Sequence, residues 1–249
     1  MSSPTLAIEG LEYAYPDGTR ALLGITCSIA AGESVAVVGA NGAGKSTFLL
    51  HLNGSLISKT GAVRLAGNRV TAGNLRQVRQ RVGVVFQDPD DQLFMPSVEE
   101  DVAFGPLNLG LPRQEVESRV REALGRVGVL HLRQRPPYHL SGGEKRAVAI
   151  AAVLAMEPEV LVLDEPAAGL DPQARRRLIE LLRGFGHTRI IATHDLDLAL
   201  DLCGRTLIMD GGRILADGPT ADLLRDPELL AAGHLERPLR LQGCPVCGG

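Results

Sequence analysis

The sequence predicts an α/β fold: a mainly parallel sheet, with an antiparallel β layer ahead of it and an α-helical subdomain inserted within it. Three observations carry this expectation. Four short apolar runs, residues 35–38, 82–86, 160–163 and 189–193, lead at their carboxyl ends into Gly39, Gln87, Asp164 and His194. Continuous Val/Ile/Leu runs separated by helix-length segments are what a parallel sheet covered on both faces requires. Upstream, residues 5–15 and 22–29 alternate apolar with polar around Pro16-Asp17-Gly18, the pattern of an antiparallel pair joined by a turn. Between Gln87 and Val160 the spacing becomes helical, over roughly 115–127 and 142–156, with Pro106, Pro112, Pro136 and Pro137 in the connections.

Composition narrows the function classes. At 249 residues and 45% hydrophobic, the chain can bury a large core, and its length suits one α/β domain with an insertion. A net charge of −3, 3% aromatic residues and no Trp supply neither the basic stripe nor the stacking platform of a nucleic-acid binder, so no nucleic-acid partner is expected. The longest apolar run, 147–156, falls well short of the ~20 residues of a membrane-spanning helix, and no basic segment precedes an apolar one at the amino terminus. A cytosolic location is expected. Cys27 and Cys203 stand alone and Cys244-Pro-Val-Cys247 lies near the end, so reduced thiols rather than a disulfide framework are expected.

The chemistry begins at Gly39-Ala40-Asn41-Gly42-Ala43-Gly44-Lys45-Ser46, which follows an apolar run and precedes a helix-competent segment. This P-loop pattern reads as a phosphate cradle. Its glycines allow backbone N–H groups to face inward, Lys45 can reach terminal phosphates, and the Ser46 hydroxyl suits a magnesium ion. Further on, Leu140-Ser141-Gly142-Gly143-Glu144 opens the second helical segment, and two readings stand. Ser141 and Glu144 have the spacing of a capping box. The two glycines, each costing about 1 kcal/mol against Ala in a helix, suggest instead a bare backbone offered to an anion. In Asp164-Glu165, adjacent carboxylates end an apolar run and point different ways, so one can serve a metal shell while the other deprotonates a water.

Together these residues resemble the ATPase subunit of ATP-binding cassette (ABC) transporters over about residues 5–235. The cradle, Gln87, the Leu140–Glu144 signature, Asp164-Glu165, Ala168-Gly169-Leu170-Asp171 and His194 occur in the family's order. The resemblance implies the P-loop ATPase fold with a helical subdomain at about 95–157, and ATP with Mg²⁺ as cofactors; residues 236–249 lie beyond it and are expected to form a flexible tail. It further implies a head-to-tail dimer in which each ATP lies between the cradle of one subunit and the signature helix of the other. In that pattern Tyr15 stacks on adenine, residues 39–47 including Thr47 bind phosphate, Ser46 and Gln87 ligate magnesium, and Asp164 supports the metal. Glu165 is the general base and His194 the γ-phosphate sensor. Ser141, Gly142, Gly143 and Glu144 act from the second subunit, and Asp171 crosses the interface. Tyr13, on the same strand face as Tyr15, is the rival adenine platform.

The stretch Gln87-Asp-Pro-Asp-Asp-Gln-Leu-Phe94, followed by Ser97-Val-Glu-Glu-Asp-Val-Ala-Phe-Gly105, looks like the ATPases of energy-coupling-factor importers, most like those of cobalt and nickel systems. That resemblance implies a groove for a coupling helix of integral membrane subunits, made acidic by Asp88, Asp90, Asp91, Glu99, Glu100 and Asp101. It places the protein at the cytoplasmic face of the membrane as a peripheral subunit with cobalt as the expected cargo, and with nickel, a vitamin or a soluble non-transport role as alternatives. Read without the resemblance, the stretch is an Asp/Pro turn before a helix start that favours acids. Cys244 and Cys247 are two thiolates where tetrahedral zinc wants four ligands, and no ligands are assigned.

Overall fold

The computed structural model describes residues 5–242. The described residues fall into two units, one of residues 5–78 with 187–242 and one of Arg79–Gly186. From the amino terminus run β1 (Leu6–Ala14), β2 (Arg20–Ile29), β3 (Ser34–Val38), α1 (Lys45–Leu52), β4 (Thr60–Leu65), β5 (Asn68–Arg69) and α2 (Leu75–Arg81). There follow β6 (Val82–Val85), α3 (Val98–Asn108), α4 (Arg113–Arg126), α5 (Gly142–Leu154), β7 (Val160–Asp164) and α6 (Pro172–Arg183). The chain continues through β8 (Thr188–Ala192), α7 (Leu196–Leu202), β9 (Arg205–Asp210), β10 (Arg213–Pro219), α8 (Thr220–Leu223) and α9 (Pro227–Ala232).

In the first unit, β1 pairs antiparallel with both β2 and β4, giving the order β2-β1-β4-β5. The expected turn closes the first pair: Tyr15 N–H donates to Thr19 O at 2.9 Å, and Gly18 N–H to Tyr15 O at 2.9 Å. The second sheet of this unit is built on β3, which runs parallel to β8 on one side and β9 on the other, with β10 antiparallel on β9. Such a central strand is covered throughout, and Val35, Ala36, Val37 and Val38 are all fully buried, which accounts for the unbroken apolar run.

In the second unit, β6 and β7 pair in parallel from Val82 with Val160 to Val85 with Leu163. Gly83 sits in β6 because a Cβ there would lie 2.3 Å from Val153 of α5 and 3.1 Å from Pro158. Helices α3, α4 and α5 pack on one another through Val98 and Val102, Val116, Val120 and Leu124, and Val148 and Ile150, all buried. Ser97 caps α3, its Oγ accepting from Glu100 N–H at 3.3 Å, and the acids that follow suit the positive helix start.

Several elements depart from the sequence reading. Helices α4 and α5 begin or end up to two residues from the expected limits, and β4, β5, β9 and β10 carry too little alternation or apolar length to be read as strands alone. No described helix is long and apolar enough to cross a membrane. Cys27 and Cys203 are buried free thiols whose burial pushes their pKa values up to about 12 and about 11, so both stay protonated. Cys244 and Cys247 lie outside the described residues.

Candidate nucleotide-binding site

The cradle leaves β3 at Gly39 and enters α1 at Lys45. Backbone surrounds it so tightly that side chains are excluded at two points. A Cβ on Gly39 would lie 2.2 Å from Met209 O of β9, and one on Gly44, whose φ is 99°, would lie 2.5 Å from Ala21 O of β2. Gly212 N–H, between β9 and β10, donates to Ala43 O at 3.1 Å and fastens the loop from outside. Lys45 is buried and folds back over the loop, its Nζ donating to Gly39 O at 2.9 Å and Ala40 O at 3.1 Å. Its ammonium therefore stays beside the loop.

Helix α1 starts without a side-chain cap: Gly44 holds the cap position, and no acidic residue occupies the first turn. Its leading N–H groups are thus left to an anion, and the Ser46 side chain is exposed at the same turn. Thr47, next along, is buried, and its Oγ1 shares a 2.9 Å hydrogen bond with the Tyr15 hydroxyl. Thr193, at the end of β8, donates its N–H to Val37 O at 3.1 Å, so the exposed His194 leaves the sheet beside the strand that delivers Gly39. The first unit thereby gathers Tyr15, the cradle residues 39–47 and His194 at one end of its sheet.

The second unit gathers Gln87, Asp164 and Glu165. The register of β6 on β7 sets Val85 against Leu163, so these residues leave neighbouring strands at the same end. Gln87 is exposed and Asp164 half-buried. Glu165 is only 7% exposed and has φ of 44°, a left-handed conformation that a non-glycine residue adopts at some cost and that recurs at functional sites. Arg146 of α5 is buried as well and donates from Nη1 to Phe86 O at 2.8 Å, tying the signature helix to the strand end before Gln87. Burial lowers its pKa, while Asp88 and Asp164 oppose the shift.

At the start of α5 the capping box is formed in full. Glu144 Oε2 accepts from Ser141 N–H and Ser141 Oγ–H, each at 2.8 Å, and Ser141 Oγ accepts from Glu144 N–H at 3.4 Å. The Ser141 bonds hold the Glu144 carboxyl below its ordinary pKa. Gly142 is exposed, and a Cβ on Gly143 would approach Ala174 at 3.3 Å and Leu170 at 3.9 Å, which sets the signature beside the start of α6. Asp171 caps that helix, Oδ1 accepting from Gln173 N–H at 2.8 Å and Ala174 N–H at 2.9 Å, a role the sequence reading did not assign.

The acidic stretch after Gln87 requires one correction. Asp101 is 4% exposed, and its Oδ1 accepts from Phe94 N–H and Met95 N–H at 3.0 Å each, so it tethers the loop instead of charging a groove. Asp90 is exposed but paired with Lys145 at 2.6 Å. Exposed Phe94 meets exposed Phe104 edge to face, with ring centres 5.1 Å apart, and Leu107 is exposed on the same helix as Phe104. An apolar partner to the acids had escaped the sequence reading, because the α3 pattern alone does not tell which of its apolar residues are buried.

A glycine cradle on a buried strand, a lysine folded over it and an uncapped helix behind it define a nucleoside-triphosphate-binding α/β domain. The ABC transporter family pattern matches residues 22–168. A protein of Geobacter sulfurreducens named as an ABC transporter ATP-binding protein is 62% identical over 248 residues, covering 100% of both chains. The energy-coupling factor transporter ATP-binding protein EcfA of Methanothermobacter thermautotrophicus is 50% identical, over 94% of this chain and 76% of its own. Among solved structures, cbiO1 of Clostridium perfringens, described as part of the ABC transporter complex cbiONQ, superposes with a TM-score of 0.82 at 41% identity, covering 93% of this chain and 94% of that one. The chain belongs to the ABC transporter family, as an ATP-binding subunit that hydrolyses ATP.

Proposed function

We propose that this chain is the energising ATPase of an energy-coupling-factor importer, with cobalt ions as cargo, working as a homodimer at the cytoplasmic face of the membrane. The observation that carries the nucleotide half of this proposal is the uncapped start of α1 behind a cradle closed by Lys45. The half-identity to EcfA and the likeness to cbiO1 support the importer class. The ATPase domain is taken as residues 5–235, with the helical subdomain at about 95–157 and a tail at 236–249.

In this reading residues 39–47 hold the phosphates and Tyr15 stacks on adenine. Ser46, Gln87 and Asp164 offer a hydroxyl, an amide oxygen and a carboxylate, hard oxygen donors of the kind magnesium takes. Bound there, the ion would neutralise charge on the β- and γ-phosphates. Glu165 accepts a proton from the attacking water at its carboxylate, and its buried, conformationally fixed position suits a general base. Lys45 and His194 stabilise the γ-phosphoryl group. Ser141, Gly142, Gly143 and Glu144 of a second copy complete the site, Asp171 meets that copy, and closing and opening of the pair drives the membrane subunits through the surface after Gln87.

Glu165→Gln tests the chemistry. ATP binding should persist while turnover falls by about 10²–10⁴; turnover at the wild-type rate would refute the assignment. Cobalt uptake by vesicles holding the chain with its membrane subunits, lost with Glu165→Gln, tests the cargo, and uptake of nickel but not cobalt would replace it.

A further inference from the structure

Behind Tyr15 lies a set of side chains that phosphate binding does not use. Tyr13 meets Tyr15 edge to face, with ring centres 5.1 Å apart and planes at 84°. On its other side Tyr13 meets the His51 ring at 4.7 Å and 73°. His51 belongs to α1 and is 1% exposed, and its Nδ1 lies 2.7 Å from Thr47 O one turn earlier. Since that partner is a carbonyl, Nδ1 carries the proton and Nε2 is a bare acceptor. Nε2 is buried and has no protein partner. His51 lines a cavity of about 20 Å³ with Leu11, Leu56, Ser58, Val63 and Val70, which has room for one water to donate to it. Burial lowers the imidazole pKa, against the pull of the Thr47 carbonyl, and keeps the ring neutral.

The contacts close a ring through the cradle helix: Tyr15 hydroxyl to Thr47 hydroxyl, Thr47 carbonyl to His51, His51 to Tyr13, and Tyr13 to Tyr15. A tyrosine fixed at its hydroxyl alone can still swing about that bond, whereas an edge contact on its ring removes that freedom. A histidine buried with one nitrogen lacking a protein partner is costly for a helix that could carry leucine there, and the brace accounts for its use.

We propose that His51 and Tyr13 are positioning residues that hold the Tyr15 ring in the orientation that receives the nucleobase, so that base affinity is set partly from within α1. The proposal rests on the reading of Tyr15 as the base platform. It predicts a loss confined to the base, with the phosphate grip unchanged.

The test compares binding of ATP with binding of inorganic tripolyphosphate, which lacks a base, to the full chain. Tyr13→Leu removes the brace ring, and His51→Asn retains a donor for Thr47 O while removing the ring against Tyr13. Each should weaken ATP binding about three- to tenfold and leave tripolyphosphate binding within about twofold. His51→Phe, which keeps an aromatic ring, should recover most of the ATP affinity. Unchanged tripolyphosphate binding also shows that each variant has a folded cradle. Tyr15→Leu keeps the two ideas apart: if it leaves ATP affinity unchanged, the platform reading fails. If it weakens ATP binding while Tyr13→Leu and His51→Asn do not, or if these two weaken tripolyphosphate equally, the brace is overturned.

Discussion

The start of α1 in the first unit and the helix starts of the second unit are built in opposite ways. Helix α1 has a glycine at its cap, no acid in its first turn and a lysine folded over the loop before it. In the second unit side chains of the same chain engage the helix starts: Asp171 accepts from two leading N–H groups of α6, and at α5 Glu144 accepts from Ser141 N–H and Oγ–H while the Ser141 hydroxyl takes the Glu144 N–H. Near the start of α3, Asp101 holds the N–H groups of the preceding loop. A helix start can satisfy its N–H groups with its own side chain or leave them for a ligand. The difference teaches that the cradle is arranged for phosphate before any arrives, whereas at α5 a phosphate must compete with Glu144 for the Ser141 donors.

Substitutions break the contrast in order of expected size. Lys45→Ala removes the cation at the open end and should weaken ATP binding about ten- to a hundredfold by calorimetric titration. Asp101→Ala strands two loop N–H groups and should cost about 1–3 kcal/mol in urea unfolding, whereas Asp101→Asn keeps an acceptor and should stay within about 1 kcal/mol of wild type. Glu144→Ala dissolves the capping box and should cost about 1 kcal/mol in urea unfolding.

The smallest effects are read by pH. Glu144 has a lowered pKa in the fold, so its contribution is complete above its unfolded value of about 4.3 and is lost as pH falls through the folded value. Asp101 runs the other way. Burial raises its pKa, so the stability linked to its protonation is present below its unfolded value of about 3.9 and disappears as pH rises through the folded value. Melting temperatures recorded between pH 3 and 7 should therefore change in opposite senses with pH for Glu144→Ala and Asp101→Asn, each relative to wild type.

Legibility in the sequence follows the same division. The cradle could be read because its spacing has a chemical purpose at nearly every position, and the parallel pairs β3 with β8 and β6 with β7 because buried strands are apolar throughout. The two readings of Ser141–Glu144 could not be separated by spacing, since a capping box and an anion-binding turn want the same small residues, and the structure forms the box. Strand β10 escaped because Ala216, Asp217, Gly218 and Pro219 are poor strand formers, held there by pairing with β9. In β4, Gly61 breaks the strand pattern, yet a Cβ there would lie 2.3 Å from Gly10 O of β1. Asp101 was misjudged because an acid in a helix's first turn looks solvent-facing until the loop that folds onto it is known. Arg146 gave no signal, for its partner Phe86 O is a backbone atom distant in sequence.

The central claim is that the start of α1 is open to phosphate within one chain, whereas at α5 the Ser141 donors are already held by Glu144. Calorimetric titration of ATP with magnesium into wild-type, Lys45→Ala and Ser141→Ala protein, at concentrations where sedimentation shows a monomer, tests it most directly. The account predicts a ten- to hundredfold loss, roughly, for Lys45→Ala and a change within about twofold for Ser141→Ala. Equal losses in both variants, or retained affinity in Lys45→Ala, would contradict it.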